Sequence, residues 1–336
     1  MKREISQGYK LERNRLKSIL GYFLKLVFAL GIIAYLVYGG NLDFKLLKKI
    51  VHPVYLPIIL LLPFVGIFIN NFRWWILCKT QGFELSMLKC LRWSLIGIFF
   101  NYALPSSVGG DVVKGFYLAK DHPQKKWRAA SSILMDRVLG LYTMIGIACL
   151  SLFFNQELVN ENKELKAIFY FVSLLFIGLG VFFFLAFSKR IADHSFINKV
   201  LDRFPEKIKK VYIVVNSYGR SKKVILVSLL LSLISQLSVV YFMYLTSHLV
   251  SGELISMNAF LFVVPIAFII MSIPLTPAGL GVGQVAYLNL FQMYLSRKLV
   301  SAAVTITVFQ LVLFLWGLVG AYFYLQRKNN KEVVND

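Results

Sequence analysis

Residues 101–120 read NYALPSSVGGDVVKGFYLAK and interrupt a chain that is otherwise dominated by Leu, Ile, Val and Phe. The stretch places a proline, paired serines, paired glycines and the ionisable residues Asp111 and Lys114 between apolar segments. Irregular backbone and charges at membrane depth are tolerated only where protein buries them or water reaches them. If the chain spans a membrane, the stretch therefore predicts a broken helix beside a polar cavity.

The composition indicates a polytopic membrane protein. Of the 336 residues, 58% are hydrophobic and 16% are charged, and the formal net charge is +21. In membrane proteins an excess of Lys and Arg is typical of loops that face the anionic cytoplasmic leaflet, so we expect contact with that leaflet and no binding of nucleic acid. Cys78, Cys90 and Cys149 lack the spacing of a metal site or a disulfide framework, and we expect no metal and no other cofactor.

Apolar segments predict the membrane crossings. A full crossing needs about 20 residues, and six segments are long enough: 19–38, 54–72, 130–154, 166–187, 224–248 and 299–325. Two further regions, 92–119 and 259–295, are pairs of shorter apolar stretches broken by Pro and Gly. These two regions decide between alternative topologies.

The distribution of basic residues predicts which loops are cytoplasmic. We place residues 1–18, the loop 188–223 and the tail 327–336 in the cytoplasm, together with the topology determinants Arg73, Lys79, Lys89 and the segment 120–128. The acidic loop 155–165 and the segment 251–258 are placed outside. This pattern requires each broken region to enter and leave on one side. We therefore predict an all-α bundle with both termini inside, six full spans and two oppositely oriented re-entrant hairpins in a single transmembrane domain, 19–326.

The loop 188–223 alternates lysines with apolar residues at near-helical spacing, from Phe196 to Val215. This pattern predicts an amphipathic helix, interrupted near Pro205. The helix either lies on anionic lipid or packs against the bundle, and the sequence supports both interpretations equally.

The two broken regions resemble each other. When Pro105 is aligned with Pro277, Gly109 falls on Gly281, and each break continues into a new half-helix. A weak repeat whose halves enter from opposite faces is typical of transporters that bind substrate at the repeat interface. Chance similarity between two Gly/Pro breaks is the alternative.

The residues around the breaks suggest an anion site. Ser106 and Ser107 could cap the second half-helix, whose N–H groups and positive dipole end favour a phosphate. Asp111 and Lys114 share a face of this half-helix, and Arg92 begins the first one. Asp136 and Arg137 lie about two turns inside the next span, where charges usually face a wet path. A purely structural role as ion pairs is the alternative for these charged residues. The candidate substrate-binding residues of both breaks are Asn101, Pro105, Ser106, Ser107, Gly109, Gly110, Asp111, Lys114, Asp136, Arg137, Pro277, Gly279, Gly281 and Gln284.

Three motifs carry a resemblance to a known family: N101-x-x-LPSSVGGDVV-K114, D136-R-x-x-G140 and P274-x-x-P-x-G-x-G281. On these residues the chain resembles the lysylphosphatidylglycerol synthase transmembrane region family of flippase-like, UPF0104-type membrane proteins. The resemblance implies a domain that moves an aminoacylated phospholipid, or another lipid-linked headgroup, between leaflets of a prokaryotic plasma membrane. Many relatives have an acidic residue where this chain has Gly283 and Gln284, so carboxylate coupling at that position is not expected.

The chain ends eleven residues after Leu325, so we expect no soluble aminoacyltransferase domain of the kind that some family members carry. We therefore expect no synthase activity, no ATPase motif and a synthase encoded separately as a possible partner. The leading hypothesis is a lipid translocator rather than an enzyme. The alternatives are a membrane-embedded glycosyl or aminoacyl transferase that acts on a lipid-linked substrate, and a non-catalytic membrane subunit.

Overall fold

The computed structural model describes residues 52–104, 109–188, 206–219, 221–273, 275–299 and 301–332, together with a few positions between 27 and 50. Regular structure in these ranges is entirely helical. The α-helices are α1 (Leu56–Thr80), α2 (Met87–Ala103), α3 (Gly109–Asp121), α4 (Lys126–Phe154), α5 (Gln156–Glu161), α6 (Lys163–Phe187), α7 (Glu206–Gly219), α8 (Lys222–Ser251), α9 (Met257–Ser272), α10 (Val282–Leu295) and α11 (Ser301–Glu332).

Five helical segments in the described part of the chain are long and apolar enough to cross a membrane. They match five of the predicted spans and lie at Leu56–Thr80, Pro123–Phe154, Lys163–Phe187, Lys222–Ser251 and Ser301–Arg327. The all-helical, polytopic fold is therefore as predicted. The sixth predicted span, 19–38, lies largely outside the described residues.

The first broken region forms an antiparallel pair of helices, α2 and α3. At the open end, Lys89 Nζ lies 2.8 Å from Asp121 Oδ2. At the closed end, the Gly110 N–H donates to Asn101 Oδ1 at 2.8 Å. The predicted break in the helix is present, although residues 105–108 lie outside the described ranges. The depth of this hairpin in a bilayer stays a prediction.

The second broken region forms the corresponding pair, α9 and α10. Its connection contains a short 3₁₀ turn, Pro277–Gly279, and three residues at positive φ: Ala278 at 49°, Gly279 at 70° and Gly281 at 80°. Phe260 and Phe291 pack with ring centroids 5.1 Å apart between the two helices. The turn closes with the Gly281 N–H donating to Gln284 Oε1 at 2.8 Å. An amide side chain thus caps a glycine N–H at both breaks.

Segments that were predicted to be cytoplasmic gather at one end of the bundle. Hydrogen bonds join the α1–α2 loop to the segment 120–128, from Lys125 to the Gly82 carbonyl, and to α7, from Gln81 to Ser217. The end of α11 is joined to the segment 120–128 by the ion pair of Arg327 with Asp121. The predicted outer segment around Glu253 instead pairs with Arg297 at 2.6 Å. This grouping is what the predicted topology requires, while the side of the membrane that each end faces stays a prediction.

Helix α7 packs against the bundle. The Tyr218 side chain is fully buried, and its hydroxyl donates to the Leu77 carbonyl at 3.2 Å. The Asn216 amide donates to the Ala186 carbonyl at 2.6 Å. The described part of the predicted amphipathic region is therefore a helix docked on α1 and α6, and the part from Phe196 to Pro205 lies outside the described residues.

A close approach of α2 and α11 gives a stability prediction. A Cβ at Gly320 would lie 2.1 Å from the Leu95 carbonyl oxygen, whereas one at Gly178 would meet nothing within 4 Å. Small residues allow such backbone contact between membrane helices. We expect Gly320→Ala to destabilise the protein by about 1–3 kcal/mol through overpacking, and Gly178→Ala to stabilise it by roughly 0.5–1 kcal/mol through helix propensity. Thermal unfolding of both variants in detergent tests this, and equal effects would contradict the packing.

Candidate functional site

Five charged side chains from three helices form a continuous chain of ion pairs, which we call the charge cluster. Arg137 Nε donates to Asp111 Oδ2. Lys114 Nζ lies 3.4 Å from Asp111 Oδ1 and 4.0 Å from Asp136 Oδ2. Arg73 Nε donates to Asp136 Oδ1 at 2.8 Å. Helices α1, α3 and α4 are thus tied together through alternating charges.

The charge cluster lies mostly inside the bundle. The exposed fraction of the side chain is 7% for Arg73, 11% for Asp136, 12% for Lys114, 19% for Asp111 and 41% for Arg137. Buried charges are costly unless opposite charges and hydrogen bonds compensate them. Three cations face two carboxylates, so the cluster carries a formal charge of 3 − 2 = +1. That excess favours an anionic ligand.

Arg73 corrects the sequence prediction. It was expected in a cytoplasmic loop as a topology determinant, but α1 continues past the predicted span end at 72, and the side chain is buried. Its Nη1 donates to Ser232 Oγ on α8 at 2.6 Å. The guanidinium therefore anchors Asp136 from one side and α8 from the other. A charged residue at the edge of an apolar segment gave no sequence signal for this role.

A polar cavity of about 320 Å³, the inner cavity, adjoins the charge cluster. Ligand sites in proteins commonly start at roughly this size, about 300 Å³. Its walls combine cluster residues with neutral amides and hydroxyls, and they include Asn70, Asn71, Ser94, Asn101, Gly110, Asp111, Lys114, Asp136, Ser235 and Gln236. Phe268 of α9 and Phe309 of α11 close the apolar side. The cavity therefore offers hydrogen-bond partners and charge to a small polar group.

An apolar groove of about 530 Å³, the lateral groove, runs between α3 and α4 on the outside of the bundle. Its walls carry exposed apolar side chains, among them Val112, Phe116 and Leu134. Asp111 and Arg137 close its inner end, and Asp111 also lines the inner cavity. The ion pair between these two residues thus stands where the groove meets the cavity.

The glycine pair of the first break allows a close contact between α2 and α3. A Cβ at Gly110 would lie 2.2 Å from the Gly97 carbonyl oxygen, which requires glycine at this point. The Gly110 N–H is engaged by Asn101, and Gly109 and Gly110 are both buried. Gly110 therefore does not offer its N–H to a phosphate as expected. The other predicted members of this anion site, Pro105, Ser106 and Ser107, lie outside the described residues.

Predicted residues of the second break lie apart from the inner cavity. Gln284 is 1% exposed, and its Nε2 donates to Gln310 Oε1 at 2.8 Å and to Thr307 Oγ1 at 3.0 Å. Gln310 Nε2 in turn donates to the Ala278 carbonyl at 3.3 Å. Neither Gln284 nor its neighbours Pro277, Gly279 and Gly281 line that cavity. The network instead holds the turn of the second hairpin in place.

Gln310 of α11 links the two hairpins. Its backbone carbonyl accepts a hydrogen bond of 2.7 Å from the Tyr102 hydroxyl at the end of α2. Gln310 and Tyr102 were not singled out from the sequence, because neutral polar side chains in apolar helices give little signal. In the described ranges, no group of three or more His, Cys, Asp or Glu side chains is arranged to hold a metal ion.

Comparison with known proteins places this chain in a family. The family model described as the lysylphosphatidylglycerol synthase TM region matches residues 22–320. A UPF0104 membrane protein of the archaeon Methanocaldococcus jannaschii is 29% identical over 126 residues, which cover 37% of this chain and 36% of that protein. No solved structure matches the chain. The family match and the apolar helices together show that the chain is an integral membrane protein of the lysylphosphatidylglycerol synthase TM region family.

Proposed function

We propose that the protein is a lipid translocator that moves a phospholipid, or another lipid with an anionic headgroup, between the leaflets of a prokaryotic plasma membrane. The observation that carries the proposal is the position of Asp111, which lines both the polar inner cavity and the apolar lateral groove. A lipid needs both environments at once while its headgroup crosses. The headgroup occupies the cavity and the acyl chains stay in the groove or in the surrounding lipid.

Headgroup binding follows from the charges of the cluster. Lys114 and Arg137 supply donors to a phosphate, and charge-assisted hydrogen bonds of this kind are stronger than neutral ones. Asp111 accepts from a cationic or hydroxyl group on the same headgroup. Such a pair of contacts suits lysylphosphatidylglycerol, the aminoacylated phospholipid in the family's description. The amides of Asn70 and Asn101 solvate the rest of the headgroup.

Translocation needs irregular backbone that is protected from lipid. We propose that the α2–α3 and α9–α10 hairpins are re-entrant from opposite membrane faces, with both termini in the cytoplasm, and that the inner cavity lies between them. Gln310 of α11 bonds to Tyr102 of the first hairpin and to Ala278 of the second, and this link supports the arrangement. Alternating movement of two opposed repeats around such a site is a known transport device.

The test is reconstitution of the purified protein in liposomes that carry fluorescent phosphatidylglycerol, lysylphosphatidylglycerol or phosphatidylcholine. We expect movement of the two phosphatidylglycerols between leaflets above the rate of empty liposomes. Asn70→Trp should remove this movement, because Asn70 is an exposed residue of the cavity lining and a bulky ring there blocks the cavity.

Phe68→Trp is the matched control, because Phe68 is an exposed residue of the same helix that does not line the inner cavity. It should transport like the wild type. If the folded wild type moves none of these lipids, the protein alone does not translocate them and the proposed function is wrong. If Asn70→Trp and Phe68→Trp transport equally, the inner cavity is not the route.

A further inference from the structure

A second cavity, the basic recess, lies at the open end of the first hairpin and measures about 620 Å³. Helices α2, α3 and α11 form it, with lining residues that include Lys89, Arg92, Asp121 and Arg327. It shares no lining residue with the inner cavity or with the lateral groove. The basic recess is therefore a site separate from the proposed translocation route.

The charges of the basic recess are unbalanced. Three cations face one carboxylate, which gives a formal charge of 3 − 1 = +2. Asp121 is shared between Lys89 Nζ at 2.8 Å and Arg327 Nη2 at 3.1 Å. Arg92 has no carboxylate within ion-pair distance among the described residues, and its guanidinium lies 5.6 Å from the Phe323 ring centroid. One exposed guanidinium is thus left for an external anion.

Aromatic side chains hold Arg327 in place on the inner side of the recess. The Arg327 guanidinium lies 4.2 Å from the centroid of the Tyr117 ring, and Trp93 stacks on Tyr117 with centroids 6.1 Å apart. Burial by itself raises the pKa of the Asp121 carboxyl, but Lys89 and Arg327 lower it below its usual value. Asp121 therefore stays an acceptor near neutral pH while its two cations are held in place.

The outer side of the recess is apolar. Leu88 is 68% exposed, and Phe323 and Ile96 continue this surface inward. Cations beside exposed apolar side chains at the end of membrane helices are typical of lipid headgroup sites, where anionic lipid and basic side chains attract each other. A soluble anion would need only the charges and would gain nothing from the apolar rim.

We propose that the basic recess binds the headgroup of an anionic phospholipid such as phosphatidylglycerol. The phosphate lies against Arg92 and Lys89, and a headgroup hydroxyl or ammonium donates to Asp121. An acyl chain covers Leu88. The site is separate from the proposed translocation route, and lipid binds there whether or not the protein moves lipid.

The test counts bound lipid by native mass spectrometry of the purified protein titrated with phosphatidylglycerol or phosphatidylcholine in detergent. We expect preferential binding of phosphatidylglycerol. The double variant Lys89→Gln with Arg92→Gln should weaken the tightest binding about thirtyfold, because it removes two basic residues and each contributes on the order of 1 kcal/mol near anionic lipid. The matched control is Lys79→Gln with Lys120→Gln, two exposed lysines that do not line the recess.

Three outcomes overturn the proposal. Equal loss in both double variants means that total charge, not the recess, attracts the lipid. Equal binding of phosphatidylcholine means that the charges do not select it. Displacement of phosphatidylglycerol by an excess of inorganic phosphate means that the ligand is a free anion. The same weakening is expected in the Asn70→Trp background, in which the inner cavity is blocked, so failure of the translocator proposal and failure of this one are distinguishable.

Discussion

Asp111→Asn is expected to reduce transbilayer movement of phosphatidylglycerol at least tenfold while the protein remains folded. The substitution keeps the size of the side chain and removes the charge that holds Arg137 between the lateral groove and the inner cavity. It also raises the formal charge of the cluster from +1 to 3 − 1 = +2. The cluster then binds an anionic headgroup but does not release it, because no carboxylate at position 111 competes for the cations. The liposome assay described above measures the loss.

Glu84→Gln is the control for this variant, because Glu84 is an exposed carboxylate outside the charge cluster. It should transport like the wild type. A folded Asp111→Asn protein with the wild-type rate would show that the first hairpin is not on the lipid route. The pairing itself is then tested by exchange, in the double variant Asp111→Arg with Arg137→Asp.

The exchanged pair separates two roles of Asp111. Recovery of movement in the double variant would mean that the ion pair acts as a gate between the lateral groove and the inner cavity, since either orientation can open and close. Failure of the double variant, in a protein with wild-type melting temperature, would mean that the carboxylate must face the headgroup from α3. Both results are consistent with a lipid route through the first hairpin. The first assigns Asp111 to a gate, and the second assigns it to contact with the headgroup.

Much of the fold is predictable from length and apolarity. A membrane crossing requires about 20 apolar residues, so α1, α4, α6, α8 and α11 stand out in the sequence. The helix breaks are equally visible, because Pro and Gly are conspicuous between apolar half-helices. The sequence does not predict which way the half-helices pack, or that Gly320 of α11 touches α2, because those contacts join distant segments.

The candidate site is predictable only in part. Asp111, Lys114, Asp136 and Arg137 attract notice because charges are rare within membrane segments. Arg73 does not, because it sits next to a predicted span end and forms its ion pair with a residue 63 positions away. Gln284 is the opposite case: its position after a conspicuous break suggested substrate contact, yet the tertiary packing turns it onto Gln310.

Arg73→Met is expected to give the largest loss of stability. It removes the hydrogen-bonded partner of Asp136 and leaves that carboxylate with Lys114 at 4.0 Å as its remaining cation in the described bundle. Breaking a buried ion pair from one side costs about 3–5 kcal/mol, because the other charge stays buried. Chemical or thermal unfolding in detergent measures the effect, and the unfolding midpoint should fall well below that of the wild type.

Arg297→Met is the matched control for this prediction. Arg297 also pairs with a carboxylate, Glu253 at 2.6 Å, but the Arg297 and Glu253 side chains are 55% and 46% exposed. Exposed pairs contribute about 0–1 kcal/mol, so this variant should unfold nearly like the wild type. Adding Asp136→Leu to Arg73→Met should recover part of the lost stability, because the unpaired buried charge is then gone. Equal stability of the Arg73→Met and Arg297→Met proteins would mean that Arg73 is solvated, which would contradict its place in the charge cluster.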